Sequence, residues 1–316
     1  MDKCYVGFDC SNYTTSVSVC GDGGEVIANL KMPLPVKEGE RGLRQSDAVF
    51  AHVRNLPSLT DRLAEILEGK YKPIAVGVST KPRDAQDSYM PCFLSGIAAA
   101  HSFAAARSLP IYEFSHQSGH IMAAAYSSGE SEKLLSDRFL AFHVSGGTTE
   151  ALIVTPKRAG FDVFLAGETL DINAGQLIDR VGVELGLKFP CGAELERLAR
   201  AYDGELPRIR TSVSGGKCNL SGAENKALQL YGKTGSREAC SRFVFEFVMQ
   251  TLMAMADDIM KIHGDMPILF AGGVMSNTYM RENLSELYDA YFASPEYSAD
   301  NAAGISLLCR EAAKYI

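Results

Sequence analysis

The sequence predicts an α/β protein that is built from two related units. Three observations support this prediction. Apolar strand-like segments alternate with segments of helical spacing along the 316 residues, two strand–loop–strand segments repeat each other, and a third strand ends in a Gly-Gly turn. A prior of roughly 150 residues per domain also favours two domains in a chain of this length.

The first repeat opens the chain and reads GFDCSNYTTSVSV. An apolar strand leads into a polar loop, and the alternation that follows predicts a second strand. Residues 46–68 have the spacing of a helix, which Pro57 is expected to break or kink. A short strand at 74–78 and a small-residue helix at 92–107 complete a first lobe, which we place at residues 1–108.

The second repeat, AFHVSGGTTEALIV, has the same order of strand, small polar loop and strand. PILFAGGVMSN then predicts a strand, a turn at Gly272 and Gly273, and a helix from about Ser276. We place the second lobe at residues 109–300 and expect the last helix, about 301–316, to pack back on the first lobe.

Composition excludes several classes of protein. Hydrophobic residues make up 46% and charged residues 22%, which excludes disorder. No apolar stretch is long enough for a membrane span, and no signal peptide is recognisable, so we expect a cytoplasmic protein. Its eight cysteines lack CxxC spacing and are expected to be reduced, mostly buried thiols. The net charge of -7 argues against tight, autonomous binding of nucleic acid.

Three loops that follow strands are built mainly from Gly, Ser, Thr and Asn, whose small side chains let backbone N–H groups approach phosphate oxygens. Each loop alone is typical of a hairpin turn. Together they predict a nucleotide site of the kind found in two-lobed actin-like proteins, sugar kinases and heat-shock ATPases. The candidate phosphate-binding residues are Asp9, Ser11, Asn12 and Thr14 in the first lobe, and Val144, Ser145, Gly146, Gly147 and Thr148 in the second.

His116 and His120 are four residues apart, which places both imidazoles on one face of a helix, as in a two-histidine metal pair. The alternative is a pair of polar residues at the start of a helix. Asp300 is the candidate third ligand, and its alternative role is a helix N-cap. Two histidines and one carboxylate would suit iron or zinc.

A carboxylate-rich segment follows the second repeat. Asp171 and Asp179 are eight residues apart, on nearly one face of a helix. One alternative makes Asp171 a helix-dipole partner and Asp179 a solvated side chain. The other places one carboxylate on ribose hydroxyls.

Six motifs in order, SHQSGH, VSGGTT, GETLDINAGQLIDRVGVELGLKFPCG, NLSGAENK, AGGVMSN and SADNAAG, resemble the tRNA threonylcarbamoyladenosine transferase family. This TsaD-like family has also been called O-sialoglycoprotein endopeptidase or glycoprotease. The resemblance implies a two-lobed actin-like ATPase (ASKHA, ribonuclease H-like) fold with duplicated α/β domains. It also implies transfer of a threonylcarbamoyl group from threonylcarbamoyl-adenylate to an adenosine beside the tRNA anticodon.

The family's ligand and substrate-binding positions can be matched to individual residues of this sequence. The resemblance implies one divalent metal on His116, His120 and Asp300, and an adenylate on the loop at 145–149. Ribose and base contacts would fall to Asp179, Gly192, Glu196 and Asn277. The expected partners are tRNA, a smaller paralogue of the same fold and a P-loop ATPase. No set of nucleophile, base and orienting group supports a peptidase, and no catalytic residue is assigned.

The chain also departs from the family's pattern. The histidine of the family's SGGHT is Thr148, and residues 40–57 and 79–96 differ most. These departures indicate a divergent paralogue. Two alternatives to the transferase therefore stay open: a nucleotide-binding carbamoyl or phosphoryl transferase with another acceptor, and a non-catalytic assembly partner that keeps the fold.

Overall fold

The computed structural model describes residues 1–35, 43–158, 160–297 and 302–314. Its contacts divide the chain into two units. The first unit comprises Met1–Gly129, Pro156–Asp162 and Glu296–Ile316, and the second comprises Glu130–Thr155 and Val163–Pro295.

The strands, in chain order, are β1 Asp2–Cys10, β2 Thr14–Gly21, β3 Val26–Pro33, β4 Tyr71–Lys81, β5 Ile111–Ser115, β6 Phe139–Val144, β7 Thr149–Lys157, β8 Gly160–Glu168, β9 Ser212–Ser214, β10 Lys217–Asn219, β11 Ile268–Ala271 and β12 Ala290–Phe292. The helices are α1 Gln45–Leu67, α2 Phe93–Ala106, α3 His116–Ser127, α4 Ser131–Leu134, α5 Ala174–Glu184, α6 Gly192–Arg200, α7 Ser221–Thr234, α8 Arg237–His263, α9 Thr278–Leu287 and α10 Ala303–Ala313. Short 3-10 turns span Gly273–Ser276 and Pro295–Tyr297.

The two units have the same sheet design. In the first the strand order is β3-β2-β1-β4-β5, and in the second it is β8-β7-β6-β11-β12. In each sheet the first strand of the repeat pairs antiparallel with the next strand and parallel with a later one. This correspondence confirms the predicted α/β fold with duplicated domains.

The first unit extends further along the chain than the sequence analysis placed it. Residues 109–129 belong to it because β5 continues the sheet beside β4, and α3 packs on α10. The predicted boundary at residue 108 therefore falls inside a single packed unit. The last helix also belongs to this unit, where α10 contacts β1, β2 and β4.

Helix α1 runs through Pro57 without the break that was one of two outcomes expected there from the sequence, a break or a kink. Leu56, Leu59 and Leu63 are buried on both sides of the proline in one apolar cluster with the sheet. A proline in a helix interior costs about 3 kcal/mol. Burial of each leucine contributes roughly 1.5–3 kcal/mol, so the continuous apolar stripe outweighs that cost.

All eight cysteines are buried and none forms a disulfide, as the spacing predicted. Burial raises the pKa of the Cys4 thiol to about 12 and that of Cys218 to about 11, so both are protonated at neutral pH. Over the described ranges, no helix combines the length and the apolar character that crossing a bilayer requires.

A buried histidine fixes the loop between β1 and β2. His52 Nε2 lies 2.8 Å from the carbonyl oxygen of Ser11, and its Nδ1 lies 2.8 Å from Thr15 Oγ1. Asn55 Nδ2 donates to the same hydroxyl oxygen at 3.0 Å. A neutral imidazole satisfies all of these hydrogen bonds: its Nε2–H donates to the Ser11 carbonyl, and its Nδ1 accepts from the Thr15 hydroxyl. Burial lowers the pKa of His52 below its ordinary value of 6.5.

Acid is therefore expected to destabilise the first unit through His52. Because the folded pKa lies below the ordinary value, the unfolded chain takes up the proton first as the pH falls. The stabilisation is complete above about pH 6.5 and is lost progressively below it. Urea unfolding at pH 7.5 and 5.5 should show a smaller loss of stability in His52→Gln than in the wild type. An equal loss in both proteins would contradict this role for His52.

Candidate functional site

Three strands of the first sheet end at the same edge and carry polar side chains there. Asp9 lies near the end of β1, Ser79 near the end of β4, and Ser115 ends β5 directly before His116. Because β1, β4 and β5 are parallel, their carboxyl ends meet, which is the usual position of sites in α/β sheets.

Asp9 is 1% exposed and both of its carboxylate oxygens are bound. Ser79 Oγ donates to Oδ1, and His116 Nδ1 lies 2.9 Å from Oδ2. From the sequence, Asp9 is predicted to belong to a possible phosphate loop. In the structure the carboxylate contacts a hydroxyl and an imidazole. Ser79 was not singled out from the sequence.

His116 and His120 begin α3 and converge as their spacing predicted. Their Nε2 atoms are 3.0 Å apart, and the ring centroids are 4.4 Å apart. Ser115 caps the helix by accepting from the Ser118 N–H at 3.1 Å. Within the described part of the chain, no group of three His, Cys, Asp or Glu side chains is arranged to hold a metal. Asp300, the predicted third ligand, lies outside the described residues.

The segment after β4 is tied to the start of the histidine helix. Asp84 Oδ2 accepts from Ser115 Oγ at 2.7 Å and from Ser118 Oγ at 3.0 Å. Asp84 Oδ1 lies 3.1 Å from Lys81 Nζ. Asp84 thus holds the first turn of α3, a role that the sequence did not predict because its partners lie more than thirty residues away along the chain.

The loop between β1 and β2 is closed by the Ser11 N–H, which donates to the Thr14 carbonyl at 3.2 Å. Asn12 Oδ1 accepts from Gln45 Nε2 at 2.7 Å. Ser11, Asn12 and Thr14 therefore share one turn, as the sequence predicted. The carboxylate of Asp9 contacts Ser79 and His116 rather than these loop residues.

In the second unit, the loop between β6 and β7 is held by one serine. Ser145 Oγ accepts from the N–H groups of Gly147 at 3.2 Å and Thr148 at 3.1 Å. The Ser145 N–H donates to the Thr148 carbonyl at 2.8 Å. A Cβ added to Gly146 or Gly147 would meet nothing within 4 Å, so one side of this loop is open.

The first turn of α5 lies against the other side of the loop. The Gly175 N–H donates to the Ser145 carbonyl at 3.1 Å, and a Cβ on Gly175 would lie 2.6 Å from the Gly146 nitrogen. Ala174 N–H donates to Thr149 Oγ1 at 2.9 Å. The partly positive N-terminus of α5 therefore adjoins the Gly-Gly segment, an arrangement that favours anions.

The third glycine-rich turn is packed beside the second. Gly272 has a φ of 98°, which glycine adopts without strain, and a Cβ there would overlap the Val144 carbonyl. The 3-10 turn that follows contacts both β6 and α5. Asn277 then caps α9 by accepting from the Met280 N–H at 2.8 Å. Its Nδ2 is buried and, among the described residues, has no hydrogen-bond partner.

Two predicted carboxylates bind other protein groups. Asp179 Oδ1 accepts from the Cys191 N–H at 2.8 Å, which fixes the turn that leads into Gly192 and α6. Glu196 Oε1 accepts from the Thr278 N–H at 2.8 Å, and so joins α6 to the residue after Asn277. The structure thereby brings Asp179 to the residue before Gly192, and Glu196 to the residue after Asn277.

The carboxylate of Asp171 binds the start of α7, although the residue is exposed. It accepts from the N–H groups of Leu220 at 2.8 Å and Ser221 at 3.1 Å, at the start of α7. Burial would raise its pKa, but these bonds and those from the Ser221 hydroxyl and Ile172 N–H lower it to about 2. Asp171 is a helix-dipole partner, as one alternative stated, but for α7 rather than for the helix that follows it in sequence.

Solved structures with a similar fold identify its class. HypF in its phosphate- and nucleotide-bound form matches with a TM-score of 0.59 at 15% identity, over 99% of this chain and 55% of the longer HypF chain. A ROK hexokinase from Thermus thermophilus matches with a TM-score of 0.53 at 14% identity, over 99% of this chain and 100% of its own. These likenesses concern the fold alone, which is the α/β fold of actin-like ATPases.

The sequence comparisons are more specific. Residues 43–307 match the family described as tRNA N6-adenosine threonylcarbamoyltransferase. The enzyme of that name from Streptococcus gordonii is 30% identical over 321 residues, which cover 96% of this chain and 91% of its own. The one from Methanopyrus kandleri is 28% identical over 307 residues, which cover 95% and 85%. This chain belongs to the tRNA N6-adenosine threonylcarbamoyltransferase family.

Proposed function

We propose that this protein transfers a threonylcarbamoyl group from threonylcarbamoyl-adenylate to an adenosine beside the anticodon of tRNA, with a divalent metal bound. The observation that carries the proposal is the family match over residues 43–307. Two features of the structure support it: the pair of imidazole nitrogens on α3 and the open glycine loop against the N-terminus of α5.

The adenylate is placed on the second unit. Its phosphate lies over Ser145, Gly146 and Gly147, where the Ser145 hydroxyl has a proton to donate and the N-terminus of α5 favours negative charge. The ribose and base lie by Gly192, with Asp179 fixing the turn and Asn277 Nδ2 as a donor. Glu196 acts indirectly, because its contact with Thr278 positions the turn that carries Asn277.

The metal is placed on His116 and His120. Their Nε2 atoms converge to 3.0 Å on one face of α3, so these residues fit a divalent cation. Imidazole donors suit iron and zinc alike. Asp300 is the third ligand by resemblance to the family. When bound, such an ion acts as a Lewis acid toward oxygen atoms of the substrate.

The proposed transfer changes no oxidation state, so it needs neither an oxidant nor a reductant. The exocyclic N6 of adenosine forms a bond to the carbamoyl carbon, and the bond from that carbon to the phosphate oxygen breaks. AMP leaves with the electron pair, and N6 loses one proton to solvent or to a base. The loop around Ser145 holds the leaving phosphate, and no residue of this chain is assigned as the base.

Gly146→Val tests the adenylate site. The branched side chain would occupy the open side of the loop where the phosphate must approach, and it would meet no protein atom near its Cβ. We expect AMP binding, measured by calorimetry, to weaken at least about 100-fold while thermal melting changes little, because about 3 kcal/mol of charge-assisted contacts is lost. Gly232→Val, at another open glycine in α7, is the matched control and should bind AMP normally.

The activity is tested with purified protein, tRNA and threonylcarbamoyl-adenylate by counting modified nucleosides. The net charge of -7 limits affinity for RNA, so the chain alone should act slowly, and a smaller paralogue with a P-loop ATPase should accelerate it. Adenylate binding without tRNA modification, even with partners present, would favour another acceptor. Unchanged AMP affinity in Gly146→Val would reject the placement, and no adenylate binding at all would favour a non-catalytic assembly partner.

A further inference from the structure

One buried carboxylate in the first unit has no part in the proposed transfer. Asp9 is 1% exposed, and ionised carboxylates are almost never buried without charged or hydrogen-bonding partners. Its two oxygens contact Ser79 Oγ and His116 Nδ1. The other ring nitrogen of His116, Nε2, faces His120. The pairing therefore connects the sheet interior to the histidine pair.

The hydrogen bond determines which nitrogen of His116 carries the proton. An ionised carboxylate can only accept, so the 2.9 Å contact requires Nδ1–H as the donor. In the neutral imidazole, Nε2 is then unprotonated and carries a lone pair. That Nε2 atom lies 3.0 Å from His120 Nε2. Asp9 thus selects the tautomer that can coordinate a cation on the side that faces His120.

The same contacts fix the orientation of the ring. The hydroxyl of Ser79 holds the far oxygen of Asp9, and the ring of Phe93 packs against His116 at a centroid distance of 6.0 Å. Asp9 and Ser79 lie on β1 and β4, two adjacent parallel strands, so neither partner depends on a mobile loop. A hydrogen-bonded carboxylate behind a ligating imidazole also raises its basicity.

We propose that Asp9 is the positioning residue of His116: it holds the imidazole in the Nδ1–H tautomer and aims Nε2, together with that of His120, at a divalent cation. The proposal rests on the metal site of the proposed function. It assigns to Asp9 a role distinct from the phosphate loop in which the sequence alone placed it, and it assigns Ser79 as the residue that orients the carboxylate.

Three variants separate charge from shape. Asp9→Asn keeps the size and removes the charge, with its amide oxygen accepting from His116 Nδ1–H and its NH2 group donating to the Ser79 hydroxyl. Asp9→Ala removes the charge and both contacts. Ser79→Ala leaves the contact with His116 in place and frees only the far oxygen. We measure Zn²⁺ affinity by competition with a chromophoric chelator, and the ligand field with Co²⁺ absorption. The dissociation constant for Zn²⁺ should rise about 10-fold in Asp9→Asn and up to about 100-fold in Asp9→Ala, with a smaller change in Ser79→Ala.

A second measurement needs no metal. In protein labelled with ¹⁵N-histidine, the wild-type spectrum should show a His116 imidazole protonated at Nδ1, and Asp9→Ala should shift that ring toward the other tautomer. Thermal melting of each variant reports whether it is folded. A loss of stability in Asp9→Asn with unchanged Zn²⁺ affinity, Co²⁺ spectrum and tautomer would overturn the proposal and leave Asp9 a structural residue.

Failure of the underlying site gives a different result. If the wild type binds neither Zn²⁺ nor Co²⁺, the metal site of the proposed function is wrong, and the positioning role falls with it even where the tautomer follows Asp9. If the wild type binds Zn²⁺ and the variants bind it equally, only the role of Asp9 is wrong. Weaker binding by the folded Asp9 variants, with the tautomer shifted, supports both.

Discussion

Gly304→Ala is expected to destabilise the first unit by about 3 kcal/mol, the upper end of the usual cost of overpacking, because the added methyl group has no space. A Cβ on Gly304 would overlap the carbonyl oxygen of Gly119 and lie 2.6 Å from its carbonyl carbon. Both atoms are backbone of α3, so no side-chain rotation relieves the contact. Gly7 and Gly77 make similar approaches to α10 from the sheet, which leaves that helix no room to retreat.

The Gly304→Ala substitution should also affect the positions of His116 and His120. Gly119 lies between His116 and His120 on α3, so a displaced α10 would move the helix that carries both imidazoles. Urea unfolding and thermal melting measure the effect on stability. Gly232→Ala in α7 is the control, since its Cβ meets nothing within 4 Å and alanine favours helix by about 0.5–1 kcal/mol. A Gly304→Ala protein as stable as the wild type would disprove this packing.

The duplicated fold was predictable because the pattern that specifies each repeat lies within one short segment of the sequence. Each repeat contains its own strand, loop and strand, and alternation of apolar residues fixes which face of the sheet is buried. The two loops and the turn at Gly272 were found for the same reason, since small and polar residues at strand ends are a local signal. The His116 and His120 pair was found because helical periodicity alone brings their rings together.

The contacts behind the site were not predictable from the sequence. Asp9, Ser79 and Asp84 act through partners that are 31 to 107 residues away, and only the order of strands in the sheet brings them together. The continuity of α1 through Pro57 was not predictable, because tertiary burial of this helix outweighs a local helix-breaking preference. The helix that Asp171 serves as a dipole partner could not be identified, because the start of α7 reaches it from 49 residues further along.

Replacement of both histidines is expected to have the largest effect on activity. His116→Ala/His120→Ala removes two imidazole donors whose Nε2 atoms lie 3.0 Å apart, so the protein should lose the divalent metal that we propose it binds. A Lewis-acidic ion contributes several kcal/mol to stabilising charge in a transition state. We therefore expect tRNA modification to fall at least about 100-fold. Elemental analysis of the purified variant measures the metal, and nucleoside analysis measures the modification.

His101→Ala is the matched control, because it removes an imidazole that is 51% exposed and lies on a different helix. It should retain both metal and activity. AMP affinity of the double variant separates the two units, since the adenylate loop around Ser145 shares no residue with the histidine pair. Retained AMP binding with lost modification would place the metal in the transfer step or in orienting its substrate. Metal at wild-type stoichiometry in the double variant would show that these histidines are not its ligands. Their side chains would then have only a structural role in the first turns of α3.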